Sequence, residues 1–270
     1  MIRIYTIMLG GILCCCVILL LPQLSPYDPQ AIDYSAALQP PSSHHVLGTD
    51  ALGRDVLSRF LHGGQRTLTV TLLSLCIALM LGIPPGVVSG YFGGWVDSTI
   101  LMALNTMLAL PGLLFALIIV TLLGQNPITG GFAIGLAQIA PVAQVVRTAV
   151  RTVRSEAYVT ASIASGASNR YLLLRTVAPN ILPTVMAYGS VTFVYCLLNV
   201  AGFGYLGLIG QPELPEWGRM LNEGREVYRE AIWVSLAPGL ALTLLVMAAN
   251  TLADRITADR SLTLSASLRG

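Results

Sequence analysis

Charge is scarce in this chain, so the places where it gathers are the first places to look for chemistry. Residues 47–59, LGTDALGRDVLSR, alternate Asp50 and Asp55 with Arg54 and Arg59 around Gly48 and Gly53. These residue types make ion pairs, turns and helix caps. Either aspartate can pair with either arginine, Thr49 and the aspartates can cap helix starts, and the glycines permit turns. Read as solvent-exposed, such pairs are worth about 0–1 kcal/mol each, so they would give shape rather than strength. A second stretch, 156–183 (EAYVTASIASGASNRYLLLRTVAPNILP), has small residues at Ala157, Ala161, Ala164 and Ser165, which let another surface come close. Tyr158, Val159 and Ile163 offer apolar contact. Gly166 can take the left-handed conformation that ends a helix, and Ser168 can cap the next one. Pro179 and Pro183 mark the start of an apolar span. A short helix, a sharp turn and a second short helix suit docking into a groove on a soluble partner, and they equally suit an ordinary amphipathic connection.

The motifs of catalysis are not in the sequence. There is no GxxxxGK[ST] phosphate loop, no HExxH, no GxSxG and no CxxC pair. ATP binding by a phosphate loop and thiolate metal binding are therefore not expected of this chain, nor is enzymatic activity. The five cysteines, Cys14, Cys15, Cys16, Cys76 and Cys196, all lie in apolar runs and read as small hydrophobes.

The elements that must hold these stretches are membrane spans. Of the 270 residues 54% are hydrophobic and 10% charged, and mean hydropathy is +0.72, whereas a soluble domain carries roughly 25% charge. A net charge of +2 argues against nucleic acid as a partner. A spanning helix needs about 20 apolar residues, and six such runs are predicted, at 4–21, 67–89, 99–123, 128–146, 181–203 and 231–253. Pro84, Pro85, Pro111, Pro141 and Pro238 fall inside them and predict kinked, packed helices. The first run lacks a cleavage site and reads as an uncleaved helix. Asn105, Gln138, Gln144, Tyr195, Asn199 and Asn250 are the intramembrane polar residues that could line a pathway or simply bond a neighbouring helix.

All 15 basic residues are arginine. Segment 147–180 carries Arg147, Arg151, Arg154, Arg170 and Arg175 against Glu156 alone, so it is expected in the cytoplasm. Counting outward, both termini are expected there too, with 22–66 and 204–230 on the other side. Segment 212–230 mixes Trp217, Met220, Leu221, Val227 and Tyr228 with charges and reads as an interfacial helix, serving as a gate or as an anchor.

These residues carry a family resemblance. Stretch 156–183 resembles the EAA loop of bacterial ABC importer permeases, whose pattern is Glu-Ala-Ala, three residues, Gly, nine residues, Ile-x-Leu-Pro. Gly166 and Pro179 take the Gly and Pro positions and Ala161 the middle of the triad. Thr160 stands where the acid is usual, Ser162 replaces the second alanine and Ala178 replaces leucine. Residues 47–59, with Gly63 and Arg66, are similar to the LGTDxLGRDxxSR signature of the dipeptide, oligopeptide and nickel permeases, in the subunit usually labelled C. GYFGGWVD at 90–97, GYLGL at 204–208, Trp217-Gly218 with Met220-Leu221, Pro238-Gly239, and Asn250 ahead of Asp254-Arg255 extend the resemblance.

The resemblance implies an all-α integral membrane protein of the bacterial inner membrane, with six transmembrane helices in the manner of type I ABC importer permeases. It implies a first helix at 1–25, an extracytoplasmic loop at 26–66, a core permease domain at 67–260 with its coupling loop at 147–180, and a cytoplasmic tail at 261–270. It assigns ATPase coupling to Ala157, Tyr158, Thr160, Ala161, Ser165, Gly166, Ser168 and Pro179. Gly48, Asp50, Gly53, Arg54, Asp55 and Arg59 become an extracytoplasmic motif beneath a solute-binding protein, or else a structural plug. Asn105, Gln138, Tyr195 and Asn199 remain the pathway candidates. The implied partners are a second homologous permease subunit, two ATPase subunits that hold ATP and magnesium, a solute-binding protein and lipid, with no cofactor or metal on this chain. The implied cargo is a di- or oligopeptide, or nickel or another metal chelate. An ion-coupled secondary transporter is the main rival, but it needs intramembrane acids or lysines, and the six predicted runs have none. A structural scaffold subunit is the other.

Overall fold

The computed structural model describes residues 20–211 and 213–267, with side chains to 257 except at 21. The predicted first span and Cys14 to Cys16 lie almost wholly outside the described residues, as do Pro212 and the last three residues. Among the described residues two 3₁₀ turns, Leu21–Leu24 and Tyr34–Ala36, precede nine helices. These are α1 (Val56–Phe92), α2 (Gly94–Leu108), α3 (Gly112–Leu123), α4 (Pro127–Ala137), α5 (Ile139–Arg154), α6 (Ala157–Ala164), α7 (Asn169–Tyr205), α8 (Trp217–Glu226) and α9 (Trp233–Ser267). Among the described residues there is no strand, only a single antiparallel bridge between Thr49 and Asp55.

Among the described residues four helical runs are long and apolar enough to cross a membrane: Val56–Phe92, Pro127–Arg154, Asn169–Tyr205 and Trp233–Thr257. They contain the predicted second, fourth and fifth spans and residues 233–253 of the sixth. The predicted third span, 99–123, is broken: α2 and α3 meet at 78°. Pro111 sits at that break, where it lacks an N–H and disfavours helical backbone in the residue before it. Pro141 does not break its span, because it falls in the first turn of α5, where the N–H groups have few intrahelical partners. The predicted cytoplasmic loop 147–180 is also mostly helix. Arg147, Arg151 and Arg154 ride on α5, and α7 begins at Asn169, well before Pro179 and Pro183. The expected second short helix is thus the first part of α7, joined to it through a π-helical turn at Leu172–Val177.

Two compact units divide the chain. Among the described residues one comprises 20–72, Leu123–Gly130 and Leu197–Leu244; the other comprises Leu73–Leu122, Gly131–Cys196 and 245–267. In the first, Trp217 of α8 is buried against α1. Its ring stacks on Phe60 with centroids 5.4 Å apart, its Nε1 donates to the Phe60 carbonyl at 3.0 Å, and its backbone N–H is received by Thr67 Oγ1 at 3.1 Å. Trp217 and Met220 are 4% and 1% exposed. Segment 212–230 is therefore not an interfacial helix with its tryptophan among headgroups; α8 is a packing helix, and the aromatic left outside is Tyr228.

In the second unit, Gly82, Gly86 and Gly90 lie one helical turn apart on α1 and meet Val142, Val146 and Val150, equally spaced on α5. A Cβ on any of the three glycines would lie 2.8 Å from the opposing valine Cβ. Small residues at this spacing let two helix backbones approach closely, which in lipid is the main source of packing energy. The valines continue into a core with Val153, Val159, Leu172, Val177 and Ile181.

Candidate functional site

Burial separates the two charged or small-residue stretches. The motif at 48–59 is folded inward: Gly48, Asp50, Gly53, Arg54, Asp55 and Arg59 are all buried. Gly53 has φ +73°, and a Cβ there would sit 1.7 Å from the Asp33 carbonyl oxygen, so only glycine passes. Asp50 Oδ1 accepts from the backbone N–H groups of Leu52 and Arg54 at 2.9 and 3.0 Å. Its Oδ2 receives Arg54 Nε at 2.7 Å and lies 3.3 Å from Arg59 Nε. Both guanidiniums reach on to Glu223 of α8, Arg59 Nη2 at 2.6 Å and Arg54 Nη2 at 3.2 Å. Asp55 caps α1, its Oδ2 accepting from the Ser58 N–H and hydroxyl at 2.8 and 2.7 Å, while Oδ1 meets His45 Nδ1 at 2.9 Å. Trp233 Nε1 closes the loop onto the Thr49 carbonyl at 3.0 Å.

The expected pairing of Asp50 with Arg54 and Arg59 is thus present, but these are not surface pairs. Asp50 is 2% and Arg59 1% exposed. Asp50 and the two guanidiniums are withdrawn from water while the Glu223 side chain, 29% exposed, still reaches it, and stranding one of the buried charges costs several kcal/mol. Glu223 escaped the sequence reading because it lies far along the chain. Segment 212–230 holds five glutamates, and nothing in their spacing marks Glu223 as the one that meets the arginines.

The stretch at 157–179 is turned outward. Ala157, Tyr158, Thr160, Ala161, Ser165, Gly166, Ser168 and Pro179 are all exposed, and α6 is held by a single buried residue, Val159. Gly166 has φ +82° and ends the turn after α6, and Ser168 Oγ accepts from the Tyr171 N–H at 3.3 Å as the cap of α7. The hydroxyls of Ser162 and Ser165 bond back to carbonyls one turn earlier, at 2.8 and 2.9 Å. Tyr171 is exposed as well, as are Ile163 and Leu174. The arrangement has no acid–base pair and no ligand set; its chemistry is that of a small, partly apolar knob on a rigid base.

That base contains an ion pair the sequence reading missed. Asp97 of α2 receives Arg147 Nε and Nη2 of α5 at 2.6 and 2.7 Å, and also the Ser89 hydroxyl. Arg154 stacks over the Tyr91 ring at 5.2 Å, and Tyr91 Oη donates to Asn169 Oδ1 at 2.9 Å. The register of Gly82, Gly86 and Gly90 against the α5 valines brings Asp97 to Arg147, and no local pattern announces it.

Of the pathway candidates, Asn105 is exposed and accepts from Gln144 Nε2 at 3.3 Å, Gln138 sits at the junction of α4 and α5, and Tyr195 and Asn199 lie on α7. A cavity of about 570 Å³ in the second unit is lined by Gln144, one of the predicted intramembrane polar residues, together with Thr148, Thr152, Thr184 and Tyr188. Thr148 and Thr152, one turn apart on α5, were the legible signal.

Residues 82–258 match the profile of the binding-protein-dependent transport system inner membrane component family. The di/tripeptide transport system permease protein DppC of Pseudomonas aeruginosa is 37% identical over 256 residues, 91% of this chain and 84% of that one. The glutathione transport system permease protein GsiD of Pectobacterium atrosepticum is 33% identical over 232 residues, 86% of this chain and 77% of that one. Among solved structures, an inward-facing MetNI methionine ABC transporter chain superposes with a TM-score of 0.62 at 17% identity, covering 74% of this chain and 95% of that one.

Proposed function

Because the chain belongs to the binding-protein-dependent transport system inner membrane component family, and so is a multi-pass permease subunit of an ABC importer, we propose that it moves short peptides and that α6 is where ATPase motion enters it. The observation that carries this reading is the contrast in burial. All eight residues assigned to coupling are exposed, four of them on α6, which buries only Val159, and the rest on the turn after it and on α7. Exposed small residues on a short, firmly based helix are what a cleft on a soluble partner can grip. The relatives named for di/tripeptide and glutathione transport favour a peptide over a metal chelate as cargo.

The full assembly is a second permease subunit, two ATPase subunits carrying ATP and magnesium, and a solute-binding protein on the opposite face. Arginine distribution puts α6 and both termini in the cytoplasm. The motif at 48–59 lies on the outer side and acts there as a staple that shapes the surface beneath the solute-binding protein. Thr160 in place of an acid leaves the knob without a charge at that point, so grip rests on shape.

Ala161→Arg tests the coupling role. Ala161 is exposed, so the variant should insert and pair normally while a bulky charge blocks the cleft. A loss of about 2.7 kcal/mol would weaken ATPase binding about a hundredfold. Gly166→Val should act similarly but less severely. Its Cβ would meet nothing within 4 Å, so the cost is the left-handed conformation alone, about 1–2 kcal/mol. Co-purification of the ATPase and cargo-stimulated ATP hydrolysis in proteoliposomes are the readouts. Full retention of both by Ala161→Arg would end the assignment.

A further inference from the structure

Few buried side chains hold α2 to its neighbours: of its residues only Asp97 and Leu104 are buried. Leu104 packs with Ala140 and Ala143 of α5, and in lipid such apolar contact gains little over contact with acyl chains. Asp97 supplies the directional hold. It is 7% exposed, and its carboxylate gathers donors from two helices. The Ser89 hydroxyl comes from α1, while α5 sends Arg147 Nε and Nη2 at 2.6 and 2.7 Å, with Arg151 Nη1 3.7 Å away. Further along the same pair of helices, Gln144 Nε2 of α5 donates to Asn105 Oδ1 of α2.

A forked guanidinium–carboxylate pair fixes orientation as well as distance, because two parallel hydrogen bonds resist both sliding and rotation. Apolar side chains of similar volume would join the two helices without the desolvation cost, but they would not fix register in this way. The helices so joined have different duties. α5 leads into α6 after only Ser155 and Glu156, and Val159 of α6 shares a core with Val150 and Val153 of α5. Displacement of α6 therefore bears directly on α5. α2 contributes Leu108 to the wall of the cavity of about 570 Å³ whose lining also includes Thr148 and Thr152 of α5 and Tyr188 of α7. At its far end α2 meets α3 at 78°. The shape of that cavity thus depends on whether α2 follows α5.

We propose that Asp97 is a positioning residue for coupling: through Arg147 it makes α2 follow α5, so that displacement of α6 reaches the broken α2–α3 span. The role rests on α6 being the entry point of ATPase motion, and it names the contact that carries that motion onward. Asp97 acts through Arg147, not on cargo or nucleotide.

The experiment follows the two helices separately in the assembled transporter in lipid nanodiscs. The chain carries alanine at its five native cysteines and one introduced thiol, Leu108→Cys on α2 or Thr148→Cys on α5. The rate of modification by a charged methanethiosulfonate is compared with and without ATP and vanadate. With Asp97 in place, both rates should change at least about fivefold with nucleotide. Asp97→Asn should keep the response at Thr148→Cys and abolish that at Leu108→Cys, with ATPase co-purification unchanged. Asp97→Glu, which keeps the carboxylate, should restore the Leu108→Cys response. Arg147→Lys keeps the charge but not the fork; it should weaken the same response, and it carries the test if Asp97→Asn does not assemble. A Leu108→Cys response that is absent with Asp97 in place, that survives Asp97→Asn or Arg147→Lys, or that falls in step with the one at Thr148→Cys would overturn the proposal. Ala161→Arg separates this role from the docking assignment beneath it. Retention of the ATPase and of both responses in that variant would remove the docking assignment and the role of Asp97 with it. Loss of the ATPase there, beside an unchanged Leu108→Cys response in Asp97→Asn, would remove the role of Asp97 alone.

Discussion

Asp50→Asn should destabilise the first unit far more than an isolated charge change on the surface. The substitution keeps size and removes charge, leaving Arg54 and Arg59 with Glu223 as their only carboxylate. At the 3.3 Å separation of Arg59 Nε and Asp50 Oδ2, an effective dielectric of about 20 gives a unit-charge attraction of about 5 kcal/mol before desolvation. Because Arg59 is 1% exposed, water cannot replace the lost partner, and removing one member of a buried pair costs about 3–5 kcal/mol. With about 2–4 °C per kcal/mol for chains of 150–250 residues, the thermal midpoint should fall by about 6–20 °C. The assay is thermal unfolding of purified protein in detergent, followed by tryptophan fluorescence, with exposed Asp28→Asn as control. Asp50→Asn combined with Arg59→Met removes one charge of each sign and should recover part of the loss. Uptake per folded molecule should change little beside the loss of folded protein. A shift no larger than that of Asp28→Asn, or strictly additive losses in the double variant, would refute the reasoning that burial sets the energy of this network.

Further outcomes are expected elsewhere in the molecule. Gly86→Leu should prevent folding of the second unit, because a Cβ there already lies 2.5 Å from the Ala143 carbonyl oxygen; normal yield by size-exclusion chromatography would contradict the helix crossing. Glu216, whose carboxyl is raised from 4.5 to about 8, keeps its proton when folded and loses it when unfolded, so the unfolded state binds fewer protons between those values. Stability is therefore fully present below about 4.5 and is lost as pH rises to about 8, at about 1.36 kcal/mol per pH unit and about 5 kcal/mol in total. The midpoint of the unaltered chain should fall more between pH 5 and 8 than that of Glu216→Gln, and parallel curves would contradict the burial of an unpaired carboxyl. A reporter fused after Gly270 and a thiol label at Ser42→Cys should report opposite sides of the membrane; the same side for both would remove the arginine-based orientation.

The amino-acid sequence by itself determined the class of molecule. Low charge, long apolar runs and the arginine-rich segment set a helical membrane protein, because lipid demands internally satisfied backbone and tolerates little charge. It also determined local backbone devices. Gly166 after α6, Ser168 before α7 and Asp55 before α1 act on neighbours within a few residues, so their roles can be read from spacing alone. Tertiary structure decided everything that joins distant segments. Pro111 and Pro141 look alike in sequence, yet one breaks a span and the other starts a helix, because the cost of a missing N–H depends on its place in the turn. The charges at 50–59 look like surface pairs until Glu223 arrives from α8 and the loop closes over them. Asp97 finds Arg147 only through the register of Gly82, Gly86 and Gly90 against Val142, Val146 and Val150. Burial and long-range pairing depend on which faces meet, and the energy of a charge changes several-fold with that answer, so no reading of neighbours along the chain could supply it.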